Sequence, residues 1–189
     1  MSVLGELQPN KVFKYFEEIC SIPHGSRNLQ QISDYLVDFA KAHELKYRQD
    51  EDLNVIIWKD GSKGYEASEP VILQGHMDMV AVKEADCDKD MEKEGLDLYI
   101  EDGYVKADRT TLGADDGIAV AYALAILDSK DMSHPPIEAV FTVDEEVGMT
   151  GAEAINLDCL DGKIMLNIDS EEEGIFLSGC AGGATLKAS

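Results

Sequence analysis

The sequence has few cysteines and no long apolar run. Its four cysteines form no Cys-x-x-Cys pair, and the nearest two are 21 residues apart. This spacing argues against a zinc knuckle and provides no disulfide framework, so we expect a reduced, cytoplasmic protein. Residues 1–11 lack the apolar core of a signal peptide. The longest apolar run, residues 118–127, is half as long as a membrane-spanning helix, which needs about 20 residues.

Basic side chains are also scarce. The chain has 16 lysines and arginines against 38 aspartates and glutamates, which gives a net charge of −22. Such a chain repels phosphate backbones and anionic lipids, so we expect neither a nucleic-acid partner nor a membrane partner. Apolar residues nevertheless make up 44% of the 189 residues, which predicts a globular domain with its own core.

The hydrophobic pattern predicts helices that alternate with strands. Apolar residues recur at helical spacing after Pro9 and again over residues 32–40, and an alanine-rich stretch at 117–127 predicts a third helix. Apolar and β-branched runs predict strands, and Asp102-Gly103 predicts a hairpin turn. The predicted strands are 53–58, 71–73, 98–100, 104–106, 137–143, 164–168 and 174–177. This alternation predicts an α/β fold, a three-layer sandwich with a mainly parallel central sheet.

Acidic residues and one histidine stand where predicted strands end or where the alanine-rich helix begins. In chain order these clusters are His76 with Asp78, Asp115 with Asp116, residues 144–146, and Asp169. Ligand sites in parallel α/β sheets collect beyond the carboxyl ends of the strands, so we expect the clusters to converge at one edge.

Each cluster alone has an ordinary explanation. A His-x-Asp is common by chance, paired aspartates before a helix often cap it, and Glu145-Glu146 could form a solvated turn. Together, however, one imidazole and several carboxylates suit zinc, manganese or cobalt. Carboxylates that converge would repel one another unless a cation neutralised them. The joint pattern therefore predicts a divalent metal site.

Five ordered motifs resemble those of the co-catalytic two-metal metallopeptidases. They are Gly75-His76-Met77-Asp78, Thr111-Leu112-Gly113-Ala114-Asp115-Asp116-Gly117-Ile118, Thr142-Val143-Asp144-Glu145-Glu146-Val147-Gly148-Met149, Asn167-Ile168-Asp169-Ser170-Glu171 and Gly179-Cys180-Ala181-Gly182-Gly183. The second and fifth motifs are similar in particular to the aminoacyl-histidine dipeptidase branch. The resemblance runs over essentially the whole chain and implies a zinc-peptidase-like fold.

The resemblance implies two divalent metal ions, with zinc as the first choice and manganese or cobalt as alternatives. His76 and Asp169 would hold one ion, Glu146 would hold the other, and Asp115 would bridge both.

The resemblance assigns further roles beside the ligands. Asp78 would hydrogen-bond the far nitrogen of the His76 ring, and Glu145 would be the general base that takes a proton from a metal-bridging water to give the attacking hydroxide. The peptide bond between Asp115 and Asp116 would be cis. Asp116 departs from the pattern, because many members of the closest branch carry asparagine at that position.

The implied activity is hydrolysis of dipeptides, with Xaa-His dipeptides as the expected substrates. A tripeptidase, an N-acyl amino acid deacylase and a non-catalytic metal-binding module remain as alternatives. By resemblance, residues 1–189 form the N-terminal part of the catalytic domain. We therefore expect the lid domain, the last histidine ligand and the C-terminal part of that domain to be missing. The fold would then be incomplete on its C-terminal side and expose apolar surface, and the parent protein would be a homodimer.

Overall fold

The computed structural model describes residues 2–170, 174–179 and 182, and within them it contains four helices and seven strands. The helices are α1 (Asn10–Cys20), α2 (Gln30–Ala42), α3 (Ala114–Leu127) and α4 (Thr150–Ala154). The strands are β1 (Lys46–Gln49), β2 (Val55–Lys59), β3 (Val71–His76), β4 (Leu98–Glu101), β5 (Tyr104–Ala107), β6 (Ile137–Thr142) and β7 (Ile164–Asn167). None of the four described helices combines the length and apolar character needed to cross a membrane.

A five-stranded sheet of order β1-β2-β6-β3-β7 forms the centre, while β4 and β5 form a separate hairpin. Strand β3 pairs in parallel with both β6 and β7, whereas β2 pairs antiparallel with β1 and β6. In this register His76 lies opposite Thr142, and Gln74 lies opposite Asn167. The carboxyl ends of β6, β3 and β7 therefore lie at the same edge of the sheet.

Helices α1, α2 and α3 cover one face of the sheet. Alternate strand side chains, such as Ile57, Leu73 and Phe141, share one buried cluster with the apolar faces of the three helices. Helix α3 packs against both α1 and β3, and small residues allow this close approach. A Cβ atom on Gly75 of β3, for example, would lie 3.0 Å from the Cβ atom of Ala119 in α3.

The opposite face of the sheet is much less covered. Within the described part of the chain, α4 and the residues that follow it form one wall of a cleft of about 290 Å³ over this face. The apolar side chains of β7 are about half exposed, with 54% for Ile164, 59% for Met165 and 49% for Leu166. The apolar surface expected from the sequence is thus observed along β7.

The predicted α/β class is confirmed, but three details differ from the expectation. The sheet is mixed, because β2 runs opposite to its other four strands. The hydrophobic pattern does not predict β1, since most of its side chains are exposed and it is an edge strand. Residues 174–177 form no strand. The turn predicted at 179–183 cannot be followed, because Cys180, Ala181 and Gly183 lie outside the described residues, as does Glu171.

Asn54 joins three segments beneath the carboxyl edge of the sheet. Its side chain is buried, and its Oδ1 accepts a hydrogen bond of 3.1 Å from the backbone N–H of Val143. Its Nδ2 donates to the carbonyl oxygen of Gly151 at 3.2 Å and to Oδ2 of Asp50 at 2.9 Å. These contacts hold the loop after β6 against the start of β2.

We predict that Asn54→Ala lowers the free energy of unfolding by about 2 to 3 kcal/mol, because buried partners lose their hydrogen bonds. Urea unfolding followed by circular dichroism measures this loss. Asn156→Ala is the matched control, since the exposed Asn156 side chain accepts one hydrogen bond, from the Asp158 N–H at 2.8 Å, and its loss at the surface should cost less than about 1 kcal/mol. Equal losses in the two variants would contradict the prediction.

Candidate metal centre

The parallel strands bring the predicted clusters to one edge of the sheet. His76 is the last residue of β3, Asp78 follows it, and residues 144–146 follow β6. Asp169 comes two residues after β7, and Asp115 lies in the first turn of α3, which packs on β3. The predicted convergence at the carboxyl ends of the strands is therefore observed.

Three of the four predicted metal ligands form one cluster. His76, Asp115 and Glu146 each offer one ligand atom, and these atoms lie within 4.8 Å of one another. The Nε2 atom of His76 is 3.2 Å from Oδ1 of Asp115. His76 is buried, Glu146 is half-buried and Asp115 is exposed, so the cluster opens from the protein interior to solvent.

Asp169, the fourth predicted ligand, lies at the same edge but outside this cluster. It lines the large cleft together with His76 and Glu145. It also lines an adjoining cleft of about 180 Å³ together with Asp115 and Asp116. Asp169 therefore borders the three clustered side chains without joining them.

Glu145, the predicted general base, lies beside the cluster. Its Oε2 atom is 3.9 Å from Nε2 of His76, on the side of the ring that faces Asp115. Glu145 and Glu146 follow Asp144, whose φ of 51° is left-handed. Aspartate tolerates this conformation better than most residues, and it turns the chain sharply after β6.

Asp78 lies on the other side of the His76 ring, and its side chain is fully buried. The Nδ1 atom of His76 is 3.3 Å from Oδ1 of Asp78 and 3.0 Å from the Asp78 carbonyl oxygen. Since Nδ1 faces these two oxygens, Nε2 is directed toward Asp115. The ring is thus oriented with one nitrogen toward the clustered carboxylates.

Burial and neighbouring charges act in opposite directions on the pKa values of this pair. Burial alone would lower the pKa of His76, but the hydrogen bond to Asp78 and the charges of Asp116, Asp78 and Glu145 raise it to about 9. Burial alone would raise the pKa of Asp78, but hydrogen bonds from His76, Ser26 and Glu145 lower it below its usual range. Both shifts favour the charged form of each side chain, with the Asp78 carboxylate paired to the His76 ring.

Asp116 is directed away from the cluster and into the protein. Its side chain is buried, and Oδ2 accepts a hydrogen bond of 3.1 Å from the backbone N–H of His76. The Asp115–Asp116 peptide bond is cis, as the resemblance implies. A Cβ atom on Gly75 would lie 2.9 Å from Asp116 Oδ2, which explains the glycine before His76. Burial, opposed in part by the charge of His76, raises the pKa of Asp116 to about 7.

The cluster has the donor set of a divalent cation site. In the part of the chain that the structure describes, no lysine or arginine forms an ion pair with Asp115, Asp116, Glu145 or Glu146. Burial and the charge of Asp115 raise the pKa of Glu146, and the nearby His76 ring opposes this only in part, so the carboxylates here outnumber the single basic side chain beside them. One imidazole and several carboxylates suit zinc, manganese or cobalt, and such an ion would neutralise them. The residues present therefore fit a metal.

Sequence reasoning does not identify Ser26 and Asn54, which support the site from other segments. The hydroxyl group of Ser26 donates to Oδ2 of Asp78 at 2.8 Å, although the two residues are 52 positions apart in the chain. Asn54 holds the loop that begins at Val143. Neither residue stands in a recognisable motif, because each reaches the site segments through contacts with distant residues that only the fold creates.

Comparison with known proteins identifies relatives that are peptidases. The cytosol non-specific dipeptidase of Escherichia coli (strain K12) is 43% identical over 183 residues, which are 97% of this chain and 38% of that protein. The crystal structure of an aminoacylhistidine dipeptidase from Vibrio alginolyticus matches with a TM-score of 0.88 and 43% identity, over 90% of this chain and 35% of that one. A tripeptidase structure from Staphylococcus aureus matches with a TM-score of 0.72 and 25% identity, over 89% of this chain and 45% of that one. No family model matches the chain.

The resemblance inferred from the five motifs is thus confirmed. The chain is similar to the N-terminal part of these dipeptidases and spans less than two fifths of the length of the first two. The names of these relatives are those of hydrolytic enzymes, in agreement with the predicted class.

We predict that Asp116→Asn stabilises the metal-free chain at pH 8 by about 1 to 3 kcal/mol. The amide oxygen can still accept from the His76 N–H, while a buried negative charge among other carboxylates is removed. Urea unfolding in the presence of EDTA measures the change.

The control for this prediction is Asp128→Asn. Asp128 pairs with Lys11 at 2.9 Å and, unlike Asp116, is not crowded by other carboxylates. Its replacement should therefore bring no gain in the free energy of unfolding. An Asp116→Asn variant that is no more stable than the parent chain would show that the negative charge of Asp116 does not destabilise the fold.

Proposed function

We propose that this chain forms the N-terminal, metal-binding part of the catalytic domain of a two-metal dipeptidase. The observation that carries the proposal is the cluster of His76, Asp115 and Glu146, with Glu145 beside it. Confirmed similarity to the N-terminal part of two dipeptidases supports the same conclusion. The remaining part of such a protein would contribute a lid domain, the rest of the catalytic domain and the last ligand.

Two divalent ions, with zinc as the first choice and manganese or cobalt as alternatives, would be held by four side chains. His76 and Asp169 would hold one ion, Glu146 the other, and Asp115, with two oxygens, would bridge them. The ions when bound supply Lewis acidity, which makes water easier to ionise and stabilises negative charge on a carbonyl oxygen. The exposure of Asp115 and the border position of Asp169 leave both carboxylates free to turn toward a cation.

Glu145 would move the proton in the reaction. Its carboxylate takes a proton from the attacking water and then delivers it to the leaving amine. The position of Glu145 supports this role, since its carboxylate lies 3.9 Å from His76 yet outside the three-residue cluster. Asp78 would orient the His76 ring and keep Nε2 directed toward the metal.

Xaa-His dipeptides are the substrates that we propose for the whole protein. The name of the Vibrio alginolyticus relative refers to aminoacylhistidine, whereas that of the Escherichia coli relative refers to non-specific dipeptidase activity. Tripeptide hydrolysis is the second candidate, because a tripeptidase shares the fold at 25% identity.

We also propose that the whole protein is a cytoplasmic homodimer. Turnover of Xaa-His dipeptides, other dipeptides, tripeptides and N-acyl amino acids by the complete protein decides among the substrates.

The first test concerns metal binding by the 189-residue chain. We predict that the chain retains zinc after dialysis. We also predict that EDTA lowers its free energy of unfolding. The loss is about 2.7 kcal/mol relative to a sample whose free zinc concentration is 100 times the dissociation constant. Elemental analysis and thermal unfolding measure the two effects. His76→Ala should abolish both. A parent chain that binds no divalent metal, or a His76→Ala variant that binds as well as the parent, would reject the proposed site.

The second test concerns Glu145. In a chimera in which this chain replaces the matching part of the Vibrio alginolyticus dipeptidase, Glu145→Gln should lower turnover about a hundredfold or more and leave metal content unchanged. Glu153→Gln is the matched control, because Glu153 is an exposed glutamate in nearby α4. Near-full activity of Glu145→Gln would show that another group moves the proton.

A further inference from the structure

The buried carboxylate of Asp78 receives hydrogen bonds from both sides of the candidate site. Its Oδ1 lies 3.3 Å from Nδ1 of His76 and accepts from the backbone N–H of Glu145 at 3.0 Å. Its Oδ2 accepts from the hydroxyl of Ser26 at 2.8 Å and from the backbone N–H of Glu146 at 3.3 Å. One side chain thus connects the histidine after β3 with the two glutamates after β6.

Ser26 donates the shortest of these hydrogen bonds. Without its hydroxyl group, Oδ2 of Asp78 would keep only the longer contact from the Glu146 N–H. The Asp78 side chain is fully buried, so loss of the Ser26 hydroxyl group removes one of the few hydrogen-bond donors to this carboxylate. The carboxylate could then rotate about its own axis, and such a rotation would misalign the partners of both its oxygens.

The loop that carries Ser26 is itself held against the segments that follow β3 and β6. The backbone N–H of Ser26 donates to the carbonyl oxygen of Met79 at 3.2 Å, and the N–H of Met79 donates to the carbonyl oxygen of His24 at 3.1 Å. The backbone N–H of Arg27 donates to Oδ1 of Asp144 at 2.6 Å. Residues 24–27 therefore contact the segment after β3 and the segment after β6, which keeps the Ser26 hydroxyl in place.

We infer that Ser26 is a positioning residue for the metal centre. It acts through Asp78, whose carboxylate aligns the His76 ring and the backbone of Glu145 and Glu146. This role rests on the proposed function, in which those three residues bind metal or move the proton. A purely structural serine would stabilise the fold without changing the geometry of the site, so the test must separate stability from alignment.

The experiment compares Ser26→Ala and Ser26→Thr with Ser33→Ala. Ser33 is the matched control, because it is a buried serine whose hydroxyl donates to the carbonyl oxygen of Leu53 at 2.7 Å, in helix α2 rather than at the site. The first measurement is amide hydrogen exchange of Glu145 and Glu146 in the metal-free chain. The second is zinc affinity of each variant, and thermal unfolding checks that each one folds.

In Ser26→Ala we expect the two glutamate amides to exchange faster than in the parent chain. We also expect this variant to bind zinc about tenfold more weakly, the lower end of the affinity loss when a group that orients metal ligands is removed. Ser26→Thr keeps the hydroxyl and should restore both values. Ser33→Ala should lower the melting temperature and change neither.

Unchanged exchange and affinity in Ser26→Ala, or equal changes in Ser33→Ala, would overturn the inference. Zinc binding by the parent chain tests the proposed function separately. If the parent chain bound no zinc, the proposed function would fall, and the exchange rates would still decide whether Ser26 aligns the two glutamates.

Discussion

Strand β3 runs in parallel between β6 and β7, and this pairing determines where every group of the candidate site lies. Parallel neighbours end at the same edge, so His76 at the end of β3 meets the residues that follow β6 and β7. Helix α3 packs on the same strand and brings Asp115 and Asp116 to that edge. A shift of one residue in register would turn the His76 side chain to the opposite face and disperse the cluster.

The convergence of these side chains creates electrostatic repulsion. Carboxylates gather at one edge, and the structure relieves their repulsion in different ways. Asp78 is stabilised as an anion by hydrogen bonds from His76, Ser26 and Glu145, which lower its pKa. Asp116 is buried, its pKa is raised, and it holds the backbone of His76. In the described part of the chain, Asp115 and Glu146 pair with no lysine or arginine, and His76 is the single basic side chain in their cluster, which is why the arrangement suits a bound divalent ion.

Hydrophobic patterning predicts the elements that carry an apolar face or an apolar run, and it fails where neither is present. Helices α1, α2 and α3 and strands β2, β3, β6 and β7 follow from that pattern, although the apolar run of β7 is about half exposed. Strand β1 does not, because an exposed edge strand carries no strong alternation. The reversed direction of β2 also escapes the pattern, since alternation reports which face is buried and says nothing of strand direction.

The sequence by itself determined the α/β class, the ordered motifs and the residue types of a divalent metal site. Those features are local, because a carboxylate that follows an apolar strand can be recognised in the sequence without knowing which residues surround it in space. Only the tertiary structure decided that His76, Asp115 and Glu146 form one cluster while Asp169 borders it. Only the fold, too, brings Ser26 to Asp78 and Asn54 to Val143. Such contacts join segments that are distant in the chain, and a hydrogen bond between them depends on packing rather than on sequence spacing.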